Sequence, residues 1–171
     1  MTLDHNFQVL DIKQQANLIH AKQDHSFNQQ LSLSLFSKSK VRGMFWRLWK
    51  RVLHHPVRMK SLSDLQGNSK IENSFEQGLK SVPVEKVIGS VSRCEDFDAQ
   101  FSPISDRSME RWARVAQIFY DGGEISAVDL IQVADHYFVR DGHHRISVAR
   151  ALGKKYIDAS VTVLHLHGQT R

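Results

Sequence analysis

Residues 127–153 read AVDLIQVADHYFVRDGHHRISVARALG, and this stretch decides the fold. Ala127-Val128-Asp129-Leu130-Ile131-Gln132-Val133 and Tyr137-Phe138-Val139-Arg140 are apolar, β-branched and aromatic runs of strand length. The tight Ala134-Asp135-His136 turn joins them, which predicts a hairpin. The second run ends in Asp141-Gly142-His143-His144-Arg145, after which a helix is expected from about His143 to Leu152, stopped by Gly153.

Beyond this segment, Tyr156 to Leu166 reads as the last strand. Upstream, Met109, Trp112, Val115 or Ala116, and Phe119 form a buried helical stripe. Ser105 is the expected N-cap of that helix, and Asp121-Gly122-Gly123 its glycine stop. Val82 to Ile88 is a strand candidate that Pro83 pushes to a sheet edge, and Gly89-Ser90 break it. The order β-α-β-β-α-β predicts an α+β fold: a small mixed sheet with flanking helices over residues 81–171.

Residues 1–80 read as a mostly helical, basic flank with a linker. Leu10, Ile12, Ala16 and Ile19 have weak helical spacing, and Leu31-Ser32-Leu33-Ser34-Leu35 alternates like a short strand. Val41, Met44, Phe45, Leu48 and Val52 follow helical spacing more sharply, and Pro56 ends that helix. Leaving Phe45, Trp46 and Trp49 in water is unfavourable, so the apolar stripe is expected to pack on the domain. Residues 61–80 resemble a linker with one short helix at most.

The length of 171 residues with 41% hydrophobic content supports one sizeable core. Cys94 stands alone, so neither a disulfide framework nor a thiolate metal cluster is expected. No metal site is expected from the histidine pairs either, since each lacks a third ligand at a recognisable spacing. The N-terminus lacks the order of a signal peptide, and no apolar run reaches the length of a membrane span. A cytoplasmic protein without an integral membrane segment is the expectation.

The net charge of +5 is local. Eight Lys/Arg residues lie between Lys38 and Lys60, and no Asp or Glu occurs between Asp24 and Asp64. Without those eight, 15 basic residues face 18 acidic ones. A footprint for DNA, an anionic membrane surface or an acidic partner therefore sits upstream of the domain. Arg42, Arg47, Lys50 and Arg51 are the expected nucleic-acid contacts.

The Asp141–Arg145 turn carries the chemistry. The first amides of a helix lack intrahelical partners and carry partial positive charge. Gly142 lets an anion approach them, Arg145 offers a fork for phosphate oxygens, and His143 or His144 adds a donor. Asp141 could orient an imidazole, reach a ribose hydroxyl or hold Mg²⁺ beside a phosphate. The plainer alternative makes Asp141 an N-cap and the histidines solvated first-turn residues. Each residue alone fits that alternative; all five together favour a binding site.

Gly142-His143-His144-Arg145 with Ala149 and Leu152-Gly153 resembles the second box of the ParB/sulfiredoxin superfamily, and the resemblance spans roughly Val82 to Thr162. Val82 to Ile88 with Arg93 resembles, loosely, its first box. The resemblance implies nucleotide phosphates at the helix start, held by Gly142, His143, His144, Arg145 and Arg93. The implied ligand is CTP or ATP/ADP, with or without Mg²⁺, in a regulatory or DNA-associated protein; a homodimer is a separate expectation. His143 stands where sulfiredoxin has its reactive cysteine, so sulfinic acid reduction is not implied. Free-serine kinases of the superfamily share an Asp-Gly-His-x-Arg turn. In that enzyme alternative, a phosphotransferase or phosphodiesterase, Asp141 and His143 would be catalytic, with Glu85 or Glu95 as a further acid.

Overall fold

The computed structural model describes residues 3–66, 71–92 and 94–166, and side chains within 23–66, 73–92 and 94–166. In chain order the elements are α1 (Leu3–Val52), β1 (Lys60–Ser61), α2 (Leu62–Gln66), β2 (Ile71–Pro83), β3 (Val87–Ser90), α3 (Met109–Tyr120), β4 (Val128–Val133), β5 (His136–Asp141), α4 (His143–Ala151) and β6 (Tyr156–Leu166). The fold is α+β: six strands form one mixed sheet in the order β1-β3-β5-β4-β6-β2. None of the described helices is long and apolar enough to cross a membrane.

The hairpin β4–β5 is antiparallel and turns at Ala134, whose φ is +49°. Strand β3 runs parallel to β5, and β6 runs parallel to β4. Alternation along β6 explains its face: Ile157, Ala159, Val161 and Val163 are buried, while Asp158 and Ser160 are exposed. Those four join Val128, Leu130 and Val139 of the hairpin and Ile146 and Ala149 of α4 in the main core. A second cluster on Leu62, Ile131, Phe138 and Leu166 ties α2 to the sheet.

Helices α3 and α4 meet around Trp112, which is fully buried. Its indole N–H donates to Ser147 Oγ at 2.8 Å, and Ser147 Oγ donates to the Phe101 carbonyl at 2.6 Å. One buried hydroxyl thus satisfies two polar groups and locks α3, α4 and the preceding loop together. Helix α3 starts at Met109 after Ser108, rather than after Ser105 as expected, and ends at a left-handed Gly122 as expected.

The largest departures from expectation lie in residues 1–80. Helix α1 is continuous through Leu31–Leu35, because Ser32, Phe36, Ser39 and Gly43 form a helical, not a strand, periodicity of buried positions. Phe36 packs edge-on against Trp112 at 5.4 Å, and a Cβ at Gly43 would lie 2.4 Å from Ser102 Cβ. The side of α1 that packs on the domain is therefore the small and polar one. The stripe expected to pack there faces solvent instead: Phe45, Leu48, Trp49 and Val52 are each at least 60% exposed. Burial is anchored by Arg47, whose Nη1 lies 2.7 Å from Asp98 Oδ2.

Residues 71–80, expected in a linker, belong to β2, which pairs with β6 along its length to Pro83. Polar Asn73, Ser74, Glu76 and Gln77 conceal this strand because it is an edge strand with exposed side chains. Pro83 lies on that edge as expected, but the single strand expected over Val82–Ile88 is two strands separated by a 3-10 turn at Val84–Lys86. Gly89 and Ser90 continue β3 instead of breaking it; a Cβ at Gly89 would meet the Lys60 carbonyl at 2.3 Å.

Candidate functional site

Strand β5 delivers its C-terminal end to α4 through one residue, Gly142, with φ +102°. This left-handed conformation favours glycine. A Cβ there would also lie 2.6 Å from Val128 Cγ1, so the space is taken by strand β4 and not left for a ligand. The first helical bond runs from Ile146 N–H to the Gly142 carbonyl at 3.0 Å. Among the described residues, no acceptor meets the amides of His143, His144 and Arg145.

Asp141 is not the cap. Its carboxylate pairs with Arg145 Nη2 at 2.5 Å, one helical turn on. Arg145 Nη1 donates to the Ser126 carbonyl and hydroxyl, both at 2.8 Å, and to the Ala127 carbonyl at 2.7 Å. Arg145 thus holds the strand-entry loop against α4, and much of its donor capacity is committed to the protein.

His143 Nε2 lies 2.7 Å from Ser90 Oγ, and Ser90 Oγ also reaches the Val139 carbonyl at 3.2 Å. With the single serine proton on Val139, His143 donates from Nε2, which fixes its tautomer. Burial pulls the His143 pKa below the ordinary value, opposed in part by the Asp141 and Asp96 charges. His144 packs edge-on against Phe97 at 5.1 Å. Its Nε2 is buried and has no hydrogen-bond partner. Burial first, then the Arg111 charge, push its pKa down to about 4, so the ring is neutral at pH 7.

These residues share one cavity of about 570 Å³. Residues 141–145 form one wall, and Arg111, Val115 and Ile118 of α3 another. Cys94, Asp96 and Phe97 complete the base, and Glu124 to Ser126 the rim. The volume falls in the range of small-ligand sites. Two guanidiniums, Arg111 and Arg145, stand against the carboxylates of Asp96, Glu124 and Asp141. Burial raises the Cys94 pKa, which disfavours the thiolate and a nucleophilic role.

Of the expected phosphate ligands, Gly142, His143, His144 and Arg145 therefore line one cavity, and Arg93 lies outside the described residues. Arg111 and Asp96 also line the cavity and Ser90 holds His143, three roles not expected from sequence. Arg111, Val115 and Ile118 repeat at helical spacing beside the buried stripe, a signal that could have found them. Glu85 and Glu95 do not line this cavity. Asp98 is fully buried: its Oδ1 accepts the Gln100 and Ser102 amides at 2.9 Å and its Oδ2 meets Arg47.

Among the described residues, no group of three His, Cys, Asp or Glu is placed to hold a metal ion. Of the four expected nucleic-acid contacts, Arg47 is engaged by Asp98, Arg51 is exposed, and Arg42 and Lys50 line a second cavity away from α4's start. No protein-family model, curated protein or solved structure matches the chain.

Proposed function

We propose that the chain is a nucleotide-binding module that takes phosphate groups at the start of α4. The observation that carries this reading is a cavity lined by Arg111 and by His143, His144 and Arg145 of α4, whose first amides lack acceptors among the described residues. Unpaired amides at a helix start carry partial positive charge, which a phosphate oxygen would meet. Arg111 supplies the charge that Arg145, held by Ser126, Ala127 and Asp141, supplies only in part. The likeness of Gly142-His143-His144-Arg145 to the second ParB/sulfiredoxin box supports the same ligand class, CTP or ATP/ADP.

Mg²⁺ would arrive with the phosphates, since Mg²⁺ keeps several waters and needs few protein ligands. Asp141 and His143, the residues of the enzyme alternative, are engaged by Arg145 and Ser90, which favours binding without turnover. Calorimetry with CTP, ATP and ADP tests the reading: binding that is lost in Arg111→Ala and weakened in His144→Phe supports it.

A second reading concerns residues 38–60, with DNA as partner. The observation favouring it is that Arg42 and Lys50 line a cavity whose only carboxylate, among the described residues, is Glu85. Loss of oligonucleotide binding in Arg42→Glu tests it, with unchanged binding counting against it.

A further inference from the structure

We propose that the cleft between the end of α1 and the end of α4 is a binding site for single-stranded nucleic acid, a flexible strand and not a duplex. The inference rests on the second reading above and names the form of the partner and the residues that hold it.

The cleft encloses about 830 Å³. Six cations from three separate segments converge on it: Arg42 and Lys50 of α1, Arg58 and Lys60 leading into and opening β1, and Arg150 and Lys154 at the end of α4. The basic run from Lys38 to Lys60 holds the first two of these segments, and nothing in the local charge pattern ties residues 150–154 to it. Spread over three elements, the cations are not the polar face of one helix; the fold assembles them.

Arg150 is the recessed member. Its Nη2 donates to the carbonyls of Val84 at 3.0 Å and Val87 at 2.5 Å, and its guanidinium lies 4.8 Å from the centre of the Phe101 ring. The two carbonyls accept its hydrogen bonds, yet no carboxylate of the described residues lies within 4 Å to neutralise the charge. Desolvation pulls the Arg150 pKa down, and the Asp98 charge opposes that only in part. An anion in the cleft would supply that charge.

The aromatic and apolar lining points to bases as well as phosphates. Trp46 lines the cleft, with Val84 and Ile88 beyond it. Cations tracking a backbone beside an aromatic face are the means by which proteins hold single strands without base readout. Duplex DNA is stiff over about 50 nm, so its phosphates meet only the rim, Arg42 and Arg58 for instance. A single strand can bend inward to Arg150 and lay a base on Trp46.

The test is fluorescence anisotropy of labelled oligothymidylate and of a hairpin duplex of equal charge, at two salt concentrations, with thermal melting of every variant. The expected result is at least tenfold tighter binding of the single strand, with affinity falling as salt rises. Lys154→Glu, on the α4 side, is expected to weaken it about tenfold or more, and Trp46→Ala about tenfold while Trp46→Phe retains binding. Equal or tighter duplex binding, sensitive to Arg42→Glu but indifferent to Lys154→Glu and Trp46→Ala, would overturn the cleft and leave the DNA reading standing. Competition by tripolyphosphate with no preference for an oligonucleotide would also overturn it, leaving a free polyphosphate site. No binding of either oligomer at low salt would end both.

Discussion

His143 Nε2 lies 2.7 Å from Ser90 Oγ, joining the first residue of α4 to the last residue of β3. Ser90 is buried, so this contact is a packed hydrogen bond between two elements far apart in sequence. It explains how one histidine of the pair is held while its neighbour, His144, keeps a nitrogen without a partner.

Ser90→Ala is expected to destabilise the fold by about 1–2 kcal/mol, because it leaves the half-buried His143 nitrogen unpaired. Urea unfolding measures this directly. A change indistinguishable from zero would mean that the contact is not formed in solution.

Gly142→Ala tests the turn. A positive φ and a Cβ 2.6 Å from Val128 Cγ1 both oppose any side chain. The expected loss is about 2–4 kcal/mol, combining backbone strain with overpacking. Arg145→Lys is expected to lose about 1–3 kcal/mol, since an ammonium cannot span Ser126, Ala127 and Asp141 as the guanidinium does. Thermal melts of the two variants check both values.

The hairpin, α4 and β6 were legible in sequence because each presents its own burial period, as in Ile157, Ala159, Val161 and Val163. Strand β2 was not, because Asn73 to Gln77 lie exposed on an edge where no apolar pattern is required. The packing face of α1 was concealed for the opposite reason. Hydrophobicity marks Phe45, Leu48 and Trp49, while the buried face is chosen by close approach at Ser39 and Gly43 and by the Arg47–Asp98 pair. At the site, the turn residues were legible as a cluster in sequence. Arg111 and Ser90 were not, since Arg111 reaches the cavity only through the packing of α3, and Ser90 reaches His143 only through the pairing of β3 with β5.

That inversion of α1 makes a pair of expected outcomes. Phe36→Ala removes a fully buried ring and is expected to cost about 3–5 kcal/mol. Trp49→Ser alters a side chain of a residue 66% exposed and is expected to change stability by about 0.5 kcal/mol or less. Denaturation midpoints of the two variants distinguish this arrangement from one with the apolar stripe packed on the domain, in which Trp49→Ser would be the costly change.

Acid should destabilise the protein through its histidines. His143 and His144 both have folded-state pKa values below the ordinary 6.5, about 4 for His144. Between those values the unfolded chain binds protons that the folded chain does not. Their contribution is therefore complete above pH 6.5 and is lost as pH falls toward 4. After discounting for partial exposure, His144 is expected to account for about 1 kcal/mol of that loss. Melting temperatures at pH 7.5 and 5, with His144→Phe flattening the difference, check the sign.

The cavity at the start of α4 is proposed to bind nucleotide phosphate. Isothermal titration calorimetry of the wild-type chain with CTP, ATP and ADP, with and without Mg²⁺, tests it most directly, with Arg111→Ala as the matched variant. Saturable binding of at least one nucleotide, lost in Arg111→Ala while the variant still melts cooperatively, is the predicted result. No heat of binding from any of the three at millimolar concentration, or binding that Arg111→Ala leaves intact, would contradict it.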